Sequence, residues 1–271
     1  MQDKSEGPVQ PKSEGPVQPK PESPLQHKTE VAAQDTPEVA AQDKSEAQAP
    51  SMKYAVDLVF CIDKTGSMVP LVRRVKANAL KFHEDLSAKM EEMNKRVDEL
   101  RIRVIAFGDV WADGPNWLEV SDFFELPDQI AEYKNFVTEI IAEGGGDEPE
   151  NGLEALALAL QSSWTSGGDR RRHAIVVWTD TSTHTLERAV TEQPPNYPAE
   201  IPKSFDELTD QWDGEGIDAS ARRLILFAPD MYPWSDIAAH WEEVIHFPSR
   251  GGDGLGEMDY DFIMNMLAHS I

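Results

Sequence analysis

One cysteine in 271 residues, Cys61, excludes an internal disulfide framework. Set in an apolar run, it reads as a small core residue rather than a reactive thiol. No window approaches the ~18 consecutive apolar residues of a membrane-spanning helix, and Met1-Gln-Asp-Lys-Ser-Glu is not a secretory leader. A cytoplasmic protein without membrane contact is expected. Basic residues are scarce: 25 Lys and Arg stand against 49 Asp and Glu, a formal net charge of −24. A surface this acidic repels phosphate backbones, which argues against direct nucleic-acid binding.

The first 50 residues lack aromatics altogether and carry only −4 of that charge. They repeat with a period of eight: DKSEGPVQ (3–10), PKSEGPVQ (11–18), PKPESPLQ (19–26), HKTEVAAQ (27–34), DTPEVAAQ (35–42) and DKSEAQAP (43–50). So little apolar surface cannot offset the entropy of ordering the backbone. Residues 1–51 are expected to form a disordered, extended spacer; a multivalent docking array is the sharper alternative. Met52 stands at the boundary and would serve as an internal start. Residues 52–271 are expected to fold.

From Lys53 onward, strand-like and helix-like patterns alternate. The run 54–62 reads as a buried strand. Apolar residues from Val72 to Leu100 recur in steps of three and four, predicting one long amphipathic helix opened by Pro70. Strands follow at 101–107 and 117–126, helices over roughly 128–142 and 148–164, and a strand at 173–180. Residues 181–215 read as a long surface insertion with one short helix near 204–212. Strand 223–228, a helix near 235–242, strand 244–248 and a helix at 259–269 complete the pattern. Such alternation predicts an α/β fold, a doubly wound, mostly parallel sheet with helices on both faces. Ligands of such sheets sit beyond the carboxyl ends of the strands.

Two strands carry an Asp to that edge. The first ends in Asp63-Lys-Thr65-Gly-Ser67 and the later one in Thr179-Asp180. Small oxygen ligands gathered on one edge suit a hard divalent cation, Mg²⁺ first and Mn²⁺ or Ca²⁺ as alternates. Asp147, in Gly144-Gly-Gly-Asp-Glu-Pro-Glu150, has two readings: a further ligand, or the N-cap of a helix in an Asp147-x-x-Glu150 capping box.

Asp63-x-Thr65-x-Ser67, Gly145-Gly146-Asp147 and Thr179-Asp180, in this order, resemble the metal-ion-dependent adhesion site of von Willebrand factor A (vWA) domains. The resemblance covers about residues 53–271. The GGGDEPE variant and Thr179-Asp180-x-x-x-His184 are similar to intracellular and microbial members associated with tellurium resistance and with alpha-kinases. It implies a metal site of Asp63, Thr65, Ser67, Asp147 and Asp180, with one coordination position left for the acidic side chain of a partner protein. It implies recognition rather than catalysis. Asp147 departs from the Thr of many adhesive members, and a third carboxylate would weaken the pull on an acidic ligand.

Two other readings share these residues. Asp63-Lys-Thr-Gly is similar to the phosphorylated-aspartate loop of haloacid-dehalogenase-like phosphotransfer enzymes, with Gly252 to Asp259 as an acidic loop, but Thr65 stands where those enzymes place a second Asp. A subunit working with an AAA+ ATPase keeps the same site and changes the partner. His184 reads as a residue at the site rim or as a solvated loop histidine. Arg170-Arg171-Arg172 reads as a solvated loop before the central strand. Trp111, Trp117 and Trp212 read as a binding rim or as loop anchors.

Overall fold

The computed structural model describes residues 53–146, 148–252, 255 and 259–271. The spacer expected over residues 1–51 lies outside them. The chain opens with β1 (Tyr54–Asp63), whose last nine residues are buried. A single 3₁₀ turn (Gly66–Met68) leads into α1 (Val69–Asn78) and α2 (Phe82–Glu92). There follow β2 (Glu99–Phe107), β3 (Leu118–Val120), β4 (Phe124–Leu126), α3 (Ile130–Glu139) and α4 (Gly152–Leu160). The second half comprises β5 (Arg170–Trp178), α5 (Leu186–Glu192), α6 (Phe205–Asp213), β6 (Arg222–Pro229), α7 (Trp234–His240), β7 (Val244–Ser249) and α8 (Tyr260–Ser270).

The sheet has seven strands in the order β3-β2-β1-β5-β6-β7, with β4 also pairing β2. Strands β2, β1, β5, β6 and β7 run parallel, and only β3 and β4 are antiparallel. Alternation along β1 divides the core between two faces. Val56, Leu58, Phe60 and Ile62 pack against α1, α2, α3 and α8. Val59 and Cys61 pack on the opposite side against α4, α5, α6 and α7. This is the doubly wound α/β arrangement that the alternating pattern predicts. Cys61 is fully buried, as expected, with its thiol against Ala155 O. Among the described residues no helix is long and apolar enough to cross a membrane.

Four expectations are corrected. The single long helix is two helices, separated by a turn at residues 79–81. Asn78, the last residue of the first helix, also donates its side-chain amide to Arg74 O. The break keeps Ala79 and Phe82 on the core, with Phe82 edge-on to Phe60 at 5.3 Å. Helix α2 then stops at a left-handed Asn94 (φ 56), with Lys95 N–H bonding Met90 O and Asn94 N–H bonding Glu91 O, a Schellman closure.

The strand expected over 117–126 is two short ones. Ser121 interrupts it: its hydroxyl accepts from Val104 N–H and donates to Asp122 O, replacing a ladder partner. The stretch 181–215 is not a surface insertion. Leu186, Ile201, Leu208 and Trp212 are buried in it, and it contributes α5 as well as α6. Arg170–Arg172 belong to β5 rather than to a loop before it, and Arg171 and Arg172 are half-buried.

Candidate functional site at the carboxyl edge of the sheet

Strands β1 and β5 are adjacent, with Ile62 level with Trp178, so Asp63 and Thr179 leave the sheet side by side. Thr179 donates its hydroxyl to Asp63 Oδ2 at 2.7 Å. Thr65 donates its backbone N–H (2.9 Å) and its hydroxyl (2.6 Å) to Asp63 Oδ1. Ser67 donates its hydroxyl to Asp180 Oδ1 at 2.9 Å, and the Thr65 and Ser67 oxygens lie 3.5 Å apart. Asp63, Thr65 and Asp180 are buried, whereas Ser67 is exposed, so the cluster opens to solvent on one side. The structure thus brings together Asp63, Thr65, Ser67 and Asp180. Asp147 lies outside the described residues.

A third loop closes over this pair. Gly66 N–H bonds Gly144 O and Glu143 N–H bonds Lys64 O, while Glu150 N–H bonds Ser182 O and His184 N–H bonds Glu150 O. Gly145 is required there twice over. Its φ is +76, and a Cβ would stand 3.0 Å from both Thr65 Cβ and Glu150 Oε1. Because Glu150 pairs with the 182–184 loop, α4 begins at Gly152 with Asn151 as its N-cap. The capping box expected at 147–150 is therefore not used at the start of that helix.

The edge is strongly acidic. Burial pushes the Asp63 carboxyl up to about 6, against the lowering effect of its hydrogen bonds from Thr65 and Thr179, and Asp180 adds repulsion. Glu150 is pushed up to about 8 by burial, then by Asp63, Asp109, Asp113 and Asp180. Its Oε2 is buried without a hydrogen-bond partner. Among the described residues no three His, Cys, Asp or Glu side chains converge closely enough to hold a metal ion by themselves. A cation here would rest on the two hydroxyls together with Asp63 and Asp180.

Several contributors escaped the sequence reading. Thr179 was visible only as a neighbour of Asp180, yet it fixes the second oxygen of Asp63. Glu150 was read as a capping partner. Asp109, two residues beyond the end of β2, accepts from Trp111 N–H and has His184 Nε2 at 3.5 Å. That Asp, so near a strand end, was the available signal. His184 is neither solvated nor at an open rim: it is buried, edge-on to Trp111 at 4.6 Å, with Arg188 against it at 2.8 Å. Burial lowers its imidazole pKa more than Asp109 raises it. Trp117 and Trp212 are fully buried anchors rather than a binding rim, and Trp111 is half-buried with Arg188 stacked 3.9 Å above its ring.

No protein-family model matches the chain. Over 116 residues, 42% of its length, the chain is 29% identical to the alpha-protein kinase vwkA of Dictyostelium discoideum, and the shared stretch is 17% of that protein. The two are distant relatives. Among solved structures, the pilus adhesin SpaC of Lactobacillus rhamnosus GG superposes with a TM-score of 0.47 at 10% identity, over 80% of this chain and 31% of that one. Proximal thread matrix protein 1 of the mussel byssus gives 0.43 at 10% identity, over 81% and 48%. At these values neither likeness bears on function.

Proposed function

We propose that residues 53–271 form a vWA-type interaction module that binds a partner protein through a divalent cation at the carboxyl edge of the sheet. The observation that carries this reading is the hydrogen-bonded set Asp63–Thr65–Ser67–Asp180, assembled from two adjacent strand ends. Its donor set is all hard oxygen, which suits Mg²⁺, with Mn²⁺ or Ca²⁺ as substitutes. Thr65, Ser67, Asp63 and Asp180 would hold the ion, and Asp147 is a further candidate. The unpartnered Glu150 Oε2 is a further hard oxygen among these acids, and a cation nearby would favour its ionised form. When bound, the ion supplies a positive centre to which an acidic side chain of the partner can attach.

The distant kinship with vwkA fits the alpha-kinase-associated members that the motif resembles. A reducing cytoplasm suits a chain with one buried cysteine. The protein is read as a binder rather than an enzyme because Thr65, not a second acid, stands two residues after Asp63 and donates its hydroxyl to it, so nothing in the set activates a nucleophile. Lys64, which a phosphotransfer site would turn toward substrate, is instead buried against Glu119 and Asn116 O. A role beside an AAA+ ATPase would use the same edge with a different partner.

Capture of partners with and without EDTA tests the proposal. Partners retained in Mg²⁺ should be released by EDTA and fail to bind Asp63→Ala. Retention unaffected by either change would refute metal-dependent recognition. A hydroxylamine-sensitive acyl-phosphate at Asp63 after incubation with phosphodonors would establish the phosphotransfer reading instead.

A further inference from the structure

The opposite end of the sheet has the opposite charge. A cleft of about 600 Å³ opens where β1 and β5 begin, between the turn after α2 and the loop before β6. Lys95, Arg96 and Arg170 to Arg172 line it, against only Asp169 and Asp218. Five basic residues thus line it with two acidic ones, and Asp98 pairs with Arg96 at 3.4 Å, so the cations remain in excess in a chain whose formal charge is −24. The excess remains positive if Ile271, also in the wall, carries a terminal carboxylate.

These cations differ in how they are held. Arg171 is fixed by Asp218 at 2.8 Å and by Ser166 O at 2.8 Å. Arg172 is held by main-chain oxygens of Ile271, Ser220 and Arg171 at 3.1 to 3.3 Å. Lys95 and Arg170 make no side-chain hydrogen bond or ion pair among the described residues. Lys95 sits below the ordinary lysine range because of burial and then the nearby Arg172. Arg223 is likewise lowered by burial and by Arg172. Cations packed against one another stay together only at an electrostatic cost, which a bound anion would offset.

We propose that this cleft binds a compact anion bearing phosphate groups. Arginine forks match phosphate oxygens two at a time, and a concave site of this volume holds a small ligand. A nucleic acid or a membrane would extend past the cleft onto the acidic remainder of the surface and be repelled there. The shared chemistry is the phosphate group, carried either by a free polyphosphorylated small molecule or by a phosphorylated side chain.

Calorimetric titration of the full chain with tripolyphosphate tests this. Saturable one-to-one binding is expected, weakened by about tenfold or more in Lys95→Ala/Arg170→Ala, which removes two charges. That variant breaks no bond within the described fold, and an unchanged circular dichroism spectrum and melting temperature will establish that it is folded. Asp63→Ala should bind tripolyphosphate like the wild type, which separates this site from the proposed metal site. A phosphoserine peptide and its unphosphorylated twin then identify the source. Competition by the phosphorylated form alone places the group on a protein, and failure of both to compete places it on a small molecule. No saturable binding by the wild type, equal binding by the folded double variant, or equal displacement by chloride at matched ionic strength would each overturn the assignment.

Discussion

Replacing Glu154 by Gln should change how stability depends on pH. Glu154 lies on α4, a helix buried along its whole length, and is itself fully buried. Asn151 Nδ2 donates to its Oε1 at 2.8 Å and the Tyr197 hydroxyl at 3.0 Å, while Oε2 has no partner. Burial dominates and lifts the carboxyl from 4.5 to about 7, against the lowering effect of those hydrogen bonds. Between these values the folded chain holds a proton that the unfolded chain has lost. Stability contributed by this group is therefore complete below 4.5, falls as pH rises, and is lost above about 7. At 1.36 kcal/mol per pH unit the loss is on the order of 3 kcal/mol. For a domain of this size that is roughly 6–12 °C in melting temperature. Gln keeps an oxygen for Asn151 and Tyr197 and carries no titrating proton. Melting curves at pH 5 and pH 8 should show Glu154→Gln close to wild type at the lower pH and clearly more stable at the higher. Parallel pH profiles would show that the carboxyl does not carry this penalty.

Three further substitutions probe packing and charge. Gly152→Ala would place a Cβ 2.7 Å from Trp234 Cζ2, on a ring held by its N–H to Thr181 O, so thermal denaturation should show a loss of about 1–3 kcal/mol. Asp57→Ala strands Arg101, whose guanidinium grips both Asp57 oxygens at 2.7 and 2.8 Å, and orphans Thr165 N–H. Urea unfolding should register up to about 3–5 kcal/mol, tempered by the partial exposure of Arg101. Measured above about pH 8, where the Glu150 carboxyl is ionised, Glu150→Gln removes a buried charge from among four acidic neighbours and should raise the melting temperature in EDTA while reducing the gain from Mg²⁺. An unchanged melting temperature in EDTA would mean that repulsion at this edge is already relieved.

Much of this architecture was legible because its signals are local. The apolar run 54–62 reads as a buried strand, and an Asp at its end followed by hydroxyls two and four residues later marks the edge at which the site is proposed. What was missed depended on tertiary commitments. The steps of three and four from Val72 to Leu100 persist across the turn at residues 79–81, because Ala79 and Phe82 face the core in either geometry. Helix α5 is seven residues long and offers only Leu186 and Ala189 as buried apolar positions, too few for a period. Glu150 matched a capping box until its backbone bonded the 182–184 loop. Thr179 has a role only because β5 lies beside β1, a pairing that strand sequences do not specify.

The central claim is that Asp63, Thr65, Ser67 and Asp180 hold a divalent cation, and a melting-temperature titration with Mg²⁺ or Mn²⁺ tests it most directly. A ligand that binds only the folded state stabilises it by about 2.7 kcal/mol at a hundred times its dissociation constant, roughly 5–10 °C here. The wild type should show such a rise at millimolar metal, Ser67→Ala a smaller one, and Asp63→Ala none. An identical response in wild type and Asp63→Ala, or no response in the wild type, would contradict the account.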